Sequence, residues 1–298
     1  MKINKCFLQT DYPNMAYRTP SGLPKGATVS SGGCGMVSVL NIMYNYVEKT
    51  SITITQMRDL AVNSGARYNG GTDIKTLLNA CKSKWGGFTF EYTTSDSAMK
   101  AHVAKGGCAV MHTSGSTPLF SRSGHFVAAC GVNGGKIQVM DSFYYPGKWT
   151  ENSTRKSHIT TTSTKGVVYA DYTTVAAACD YYYLVTKIAP KVTTTDNVTA
   201  RIAAGKSNDA VGCIDKGVAL EQLSETENWV QTAVWIAKKY CSIKNGKATA
   251  KDSVNFRASN GSDSVKLGVC TKGVIFSILE ETDNWIKTSV WIAKKFTK

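Results

Sequence analysis

The chain has 298 residues, 42% apolar and 19% charged, which is enough to pack ordinary cores and leaves room for more than one domain. Nowhere do about 18 apolar residues run together, so no membrane-inserted helix is expected, and the opening MKINKCFLQTDYPN lacks the apolar segment of a secretory signal. Residues 1–189 hold 19 Lys/Arg against 10 Asp/Glu and residues 190–298 hold 16 against 11, so the +14 charge forms no single stripe and favours polyanions without choosing among nucleic acid, membrane and wall polymer.

In chain order, FLQTDYPN comes first and carries Gln9, followed by SSGGCGMVSVLNIM, where glycines and Cys34 lead into an apolar run. Residues 35–47 read as a helix and 73–84 as a shorter amphipathic one. CAVMH, HFVAACGV and KIQVMDSF read as buried strands, the last two joined into a hairpin by Asn133-Gly134-Gly135. The Thr/Ser-rich stretch 151–166 reads as a loop within the same domain. This is an α+β layout, ending at a polar linker just after Pro190.

The last third of the chain repeats itself. Residues 196–240 align without a gap onto 252–296 at a constant offset of 56. Within each copy, short β-prone runs alternate with turn residues, the pattern of a small barrel or meander. The expected domains are therefore 1–189, 190–245 and 246–298. Of the repeat tryptophans Trp229, Trp235, Trp285 and Trp291, about half are expected in the core.

The chemistry concentrates at Cys34. A cysteine that opens a helix sits at the positive end of the helix dipole, which favours the thiolate. A thiolate nucleophile needs a base and an orienting group, and the hairpin supplies His125 at the start of one strand and Asp141 at the end of the next. Gln9 can join the Cys34 backbone N–H in holding an oxyanion. His112 is the rival base, but no carboxylate faces it at hairpin spacing, and it reads as structural. The nine cysteines contain no CxxC pair and the four histidines no HxxxH, so no metal or cofactor is expected; the eight cysteines other than Cys34 read as reduced core filler.

FLQTDYPN, SSGGCGMVSVLNIM and SRSGHFVAACGVNGGKIQVMDS resemble, in order and spacing, papain-like cysteine peptidases of the bacteriocin-processing type and the related catalytic domains of phage endolysins. The resemblance implies Cys34 as nucleophile, His125 as base, Asp141 as orienter and Gln9 in the oxyanion site. Two positions depart from that pattern: Met36 and Ser142 stand where the group usually has proline. The C-terminal copies resemble bacterial Src-homology-3-like wall-binding repeats, each with an Arg near the start (Arg201, Arg257), a KGV turn, an NW entering a strand and VWIAKK at the end. Together the resemblances imply an α+β papain-like catalytic domain followed by two small all-β Src-homology-3-like barrels. They imply a phage or prophage endolysin that accumulates in the host cytoplasm and cuts an amide of peptidoglycan, muramoyl-alanine or peptide, once the membrane is permeabilised. Its partners would be peptidoglycan and the anionic wall polymers, with no nucleic acid. Two other readings are a leader-peptide-processing peptidase, against which no membrane span or nucleotide-binding motif follows, and a non-catalytic wall-binding protein, against which Cys34, His125 and Asp141 are all intact.

Overall fold

Short polar side chains start most helices of the first unit, Met1–Ile188, in this computed structural model, which describes residues 1–298. Thr28 and Thr53 form capping boxes with Ser31 and Gln56 at the starts of α1 (Val29–Gly32) and α3 (Ile54–Asn63). Asp73 and Ser95 cap α4 (Ile74–Trp85) and α5 (Asp96–Ala104). α2 (Cys34–Asn45) has no such cap, because its N-cap, Gly33, offers no side chain.

After a short ribbon, β1 (Arg67–Tyr68) with β2 (Gly71–Thr72), seven strands form one antiparallel sheet. They are β3 (Phe88–Thr93), β4 (Cys108–Thr113), β5 (His125–Asn133), β6 (Lys136–Met140), β7 (Ile159–Thr161), β8 (Val167–Asp171) and β9 (Cys179–Lys187), in the order β3-β9-β4-β5-β6-β8-β7. Alternate residues of the strands feed two cores, as the two-residue period of a strand requires. Val110, Ala128 and Val185 pack with α2, α3 and α4, while Ala109, Val127, Ala129 and Leu184 pack with α5 and α7 (Tyr172–Ala178).

The expected helices and the β5–β6 hairpin are present, and the hairpin turns at Gly134 and Gly135, both at positive φ, as a two-residue turn of this kind requires. The stretch read as a loop at 151–166 instead contains α6 (Ser153–His158) and edge strand β7. Asn152 caps α6, and Arg155 is buried because the carbonyls of Pro118, Leu119, Phe120 and Lys148 take its guanidinium N–H groups. Such long-range partners leave no local trace in a polar sequence. Cys213, expected to be core filler, is exposed.

The second unit, Ala189–Lys298, holds both repeat copies around one hydrophobic core. Its strands are β10 (Lys191–Thr193), β11 (Val198–Arg201), β12 (Ala210–Ile214), β13 (Ala219–Glu225), β14 (Trp229–Ala237) and β15 (Cys241–Lys244) from the first copy. From the second come β16 (Lys247–Ala250), β17 (Val254–Arg257), β18 (Lys266–Cys270), β19 (Ile275–Ser277), β20 (Glu280–Glu281) and β21 (Trp285–Ala293).

The expectation of one barrel per copy meets a different pairing. β14 pairs with β21 along their whole length, from Trp229 opposite Ala293 to Ala237 opposite Trp285, and β12 pairs with β18 about Cys213 opposite Val269. Single pairs, Arg201 with Trp291 and Trp235 with Arg257, close a six-strand ring, β14-β17-β18-β12-β11-β21, to which each copy gives three strands. Every one of these pairings maps onto itself or onto a partner when the 56-residue offset is applied, so the unit has a pseudo-twofold axis.

Asn245-Gly246 gives the physical reason. Both residues have positive φ and form a two-residue turn that sends β15, the end of the first copy, straight back along β16, the start of the second. The end of the second copy repeats this, with Thr297 bridging to Thr194. Each copy therefore finishes in the other.

A chain ending at residue 245 loses every partner of β12 and β14 that the second copy supplies. Its amides at Val230, Thr232, Val234 and Ile236 are expected to exchange with solvent orders of magnitude faster than in the full chain. Hydrogen exchange read by NMR or mass spectrometry checks this; protection of β14 equal to that in the full chain would show that the first copy folds alone.

Candidate active site

Cys34 is the first residue of α2. Glycines surround it for steric reasons: a Cβ on Gly33 would stand 2.5 Å from the Val29 carbonyl oxygen, and one on Gly35 would stand 2.9 Å from Ile74 and 3.1 Å from Phe126. The chain can thus fold tightly from α1 into α2 and bring the helix start against β5. With no capping side chain at Gly33, the positive helix end is left to the Cys34 sulfur, and the backbone of Gly35 and Phe126 further favours its thiolate.

His125, at the start of β5, is buried and places Nε2 2.9 Å from Oδ1 of Asp141. That leaves Nδ1 free for the Cys34 thiol, whose charge state the imidazole influences. Burial pushes the Cys34 thiol up, but the hydrogen bond and charge of His125, with the two backbone contacts, outweigh it and hold the thiol below its ordinary value. Burial pushes His125 down, and the charge and hydrogen bond of Asp141, with the contact to Cys34, raise it to about 9. Both directions favour one state, a thiolate beside an imidazolium. In contrast, burial raises the thiols of Cys6, Cys81, Cys108, Cys130, Cys179, Cys241 and Cys270.

Asp141 has no exposed surface and three donors: His125 Nε2, the Phe143 backbone N–H at 2.9 Å and Lys148 Nζ at 2.7 Å from Oδ2. Burial would raise its carboxyl, and Lys148 first, then His125, bring it below the ordinary carboxylate value. Lys148 is itself fully buried; burial lowers its ammonium, opposed by Asp141. Its Nζ also donates to the Phe143 carbonyl at 2.5 Å and lies 4.7 Å from the Trp149 ring centre.

Gln9 lies on a 3₁₀ turn, Gln9–Asp11, and is 4% exposed. Its Nε2 donates to the Ser30 carbonyl at 2.7 Å, and its Oε1 accepts from the Ser142 hydroxyl at 2.9 Å. Because a carbonyl can only accept, the amide orientation is fixed, and one of the two Nε2 hydrogens remains uncommitted. Gln9 has no hydrogen bond to Cys34; it is tied to the site through Ser30, just before the glycines, and through Ser142, next to Asp141. Ser142, one of the departures from the resembled pattern, thus joins Ser30 in holding Gln9.

Sequence reasoning missed Lys148, Ser142 and Arg67. Arg67 is buried beneath the α1–α2 junction, donating to the carbonyls of Tyr17 and Gly71, both at 2.9 Å, and covering the Tyr17 ring. No spacing rule marks a lysine or arginine as buried, and Ser142 stood out only as a missing proline. His112 does have a carboxylate, Asp180 of β9 at 2.6 Å, which hairpin spacing could not reveal. Its ring stacks on Tyr181 at 4.6 Å, and Cys34 is served by His125.

No protein-family description matches the chain, and no curated protein matches it. Solved structures offer distant likenesses. A double-glycine-motif protease from an AMS/PCAT transporter, solved with the leader peptide, is 15% identical over 52% of this chain and 84% of its own, with a TM-score of 0.33. Ly7917 is 18% identical over 62% of this chain and 63% of its own, with a TM-score of 0.20. Ly7917 with the hydrolyzing product of MDP is 16% identical over 66% of this chain and 67% of its own, with a TM-score of 0.19. At these values neither the fold nor the activity of this chain follows from them.

The lowered Cys34 and raised His125 predict a bell-shaped pH dependence for any reaction that needs the ion pair. Reactivity is lost on the acid side as the thiolate takes a proton, below the ordinary thiol value, and on the alkaline side near pH 9 as the imidazolium loses one. Iodoacetamide labelling of Cys34 against pH reads the first limb; a midpoint at the ordinary thiol value of 9.0 would contradict the ion pair.

A second expectation concerns the buried pair. Asp141→Asn leaves the Lys148 ammonium without its carboxylate and is expected to destabilise the first unit by about 3–5 kcal/mol. Asp141→Asn combined with Lys148→Met should recover part of that loss in urea unfolding. No difference between the single and double variants would show that Lys148 does not depend on Asp141.

Proposed function

We propose that the chain is a cysteine-dependent peptidoglycan hydrolase of the phage or prophage endolysin type. The observation that carries this reading is the Cys34–His125–Asp141 arrangement: a thiol at a helix start that the imidazole of His125 lowers, with that imidazole held through Nε2 by a buried carboxylate. The resemblance of the C-terminal copies to wall-binding repeats favours a wall substrate over a leader peptide.

In the proposed reaction the Cys34 thiolate attacks the carbonyl carbon of a murein amide, forming a C–S bond and a tetrahedral oxyanion. The Cys34 backbone N–H and the uncommitted Nε2 hydrogen of Gln9 receive that oxyanion. The imidazolium of His125 then gives its proton to the leaving nitrogen, the C–N bond breaks, and a thioester to Cys34 remains. Neutral His125 takes a proton from water, the hydroxide adds to the thioester carbonyl, the C–S bond breaks, the acyl part leaves as its carboxylic acid, and the thiolate returns beside an imidazolium. Asp141 keeps the ring in place through Nε2 while Nδ1 exchanges protons. Lys148 keeps Asp141 ionised without touching the reacting atoms.

Purified Gram-positive walls incubated with the protein should release new amine ends, identified by mass spectrometry. Alanine amines with intact muramic acid mean amidase cleavage; other amines mean endopeptidase cleavage. Cys34→Ala should release none. Asp141→Asn should be slower by up to about 10⁴-fold, the loss seen when a triad acid is neutralised. Release of the same ends by Cys34→Ala would overturn the nucleophile, and no release from any wall by the parent protein would overturn the function.

A further inference from the structure

The pairing of β14 with β21 sets a tryptophan opposite an alanine twice, Trp229 opposite Ala293 and Trp285 opposite Ala237. An alanine beside an indole leaves open space along the ring, and both tryptophans remain half-buried, whereas Trp235 is buried at 7% exposure. Just past each alanine the chain makes a 3₁₀ turn, Lys238–Tyr240 or Lys294–Phe296, which brings a lysine to the rim. The outcome is two grooves related by the 56-residue offset. One, of about 610 Å³, is bounded by Trp229, Glu227 and Lys206 of the first copy and Lys294 and Lys295 of the second. The other, of about 230 Å³, is bounded by Trp285, Arg257 and Ser262 of the second copy and Lys239 and Tyr240 of the first.

The charges within these grooves are not cancelled. Glu225 holds Lys294 at 2.9 Å, and Glu281 holds Lys238 in the equivalent pair. That leaves Lys295 and Lys206 in the first groove and Lys239 and Arg257 in the second outside any ion pair, with Glu227 the one carboxylate lining the first groove and none lining the second. An indole wall offers an apolar face to a flat ring, and free ammonium groups at the rim attract an anion.

We propose that these two grooves are the sites at which the second unit holds a wall polymer, and that each takes a sugar ring bearing an anionic group, with the ring against Trp229 or Trp285 and the anion at Lys295 or Lys239. This rests on the wall-hydrolase reading and locates its targeting site. Each groove is built from both copies, so neither copy alone contains one. Where the first groove has Lys206 the second has Ser262, and the Trp229 groove is the larger of the two and carries more of the binding.

The anion has two sources in a wall, the phosphate of a glycan-phosphate polymer and the carboxylate of a muramic acid that carries no peptide. Sedimentation of the full-length Cys34→Ala protein with purified Gram-positive walls, before and after phosphate polymers are stripped with hydrofluoric acid, separates them. Binding lost on stripping assigns the phosphate, and binding kept assigns the carboxylate. On the walls that bind, Trp229→Ala should weaken binding by about tenfold or more, Trp285→Ala by less, and the pair should act together. Trp229→Phe should keep much of the affinity. The exposed charge reversals Lys295→Glu and Lys206→Glu give a readout that does not depend on removing an indole, and both should weaken binding at low salt.

Double tryptophan and charge-reversal variants that sediment like the parent would overturn the grooves while leaving the hydrolase reading intact. A parent that binds no wall would also overturn them. Tryptophan-dependent binding, together with no amine release by the protein carrying its native Cys34, would keep the grooves and remove the hydrolase reading.

Discussion

A carboxylate with no exposed surface stays ionised only if donors replace its water, and Asp141 has three of them. The order of the site follows from that. Held as an anion, Asp141 takes Nε2 of His125 and so turns Nδ1 toward Cys34. The same charge raises His125, and the imidazolium lowers Cys34. Lys148 matters because it is the largest influence opposing the burial of Asp141. Removing one member of such a buried set exposes the others to an uncompensated penalty, so the reactive thiol depends on a lysine that never meets it.

The second unit depends on a different constraint, the two-residue turn at Asn245-Gly246. A turn that short leaves the chain no room to finish one barrel before starting the next, and the end strand of each copy is taken up by the other. Duplication has therefore produced one pseudo-symmetric body with one core, in which the seam between copies is repeated twice. Sequence differences across the offset, such as Lys206 against Ser262, then make two related grooves unequal.

Much of the first unit could be read from local sequence, because its signals are local. The glycines around Cys34, the apolar run of α2 and the Gly134-Gly135 turn each act within a few residues, and the hairpin fixes His125 and Asp141 at one end by strand geometry alone. What escaped reading needed contacts distant in sequence: the burial of Lys148 and Arg67, the bond from Ser142 to Gln9 across 133 residues, and the Asp180 partner of His112. In the second unit the offset was plain, yet which copy each strand pairs with is decided by the link between copies. Asn245-Gly246 is a strong hairpin signal that the repeat pattern overshadowed.

The central claim is that Cys34 forms a bond to the acyl part of a wall amide. Mixing the protein with soluble wall fragments, quenching in acid within the first turnovers and mapping the digested protein by mass spectrometry tests it directly. The account predicts a thioester adduct on the peptide containing Cys34, with the mass of the acyl fragment, absent from Cys34→Ala. Product formation with Cys34 unmodified, or an adduct on another residue, would contradict it.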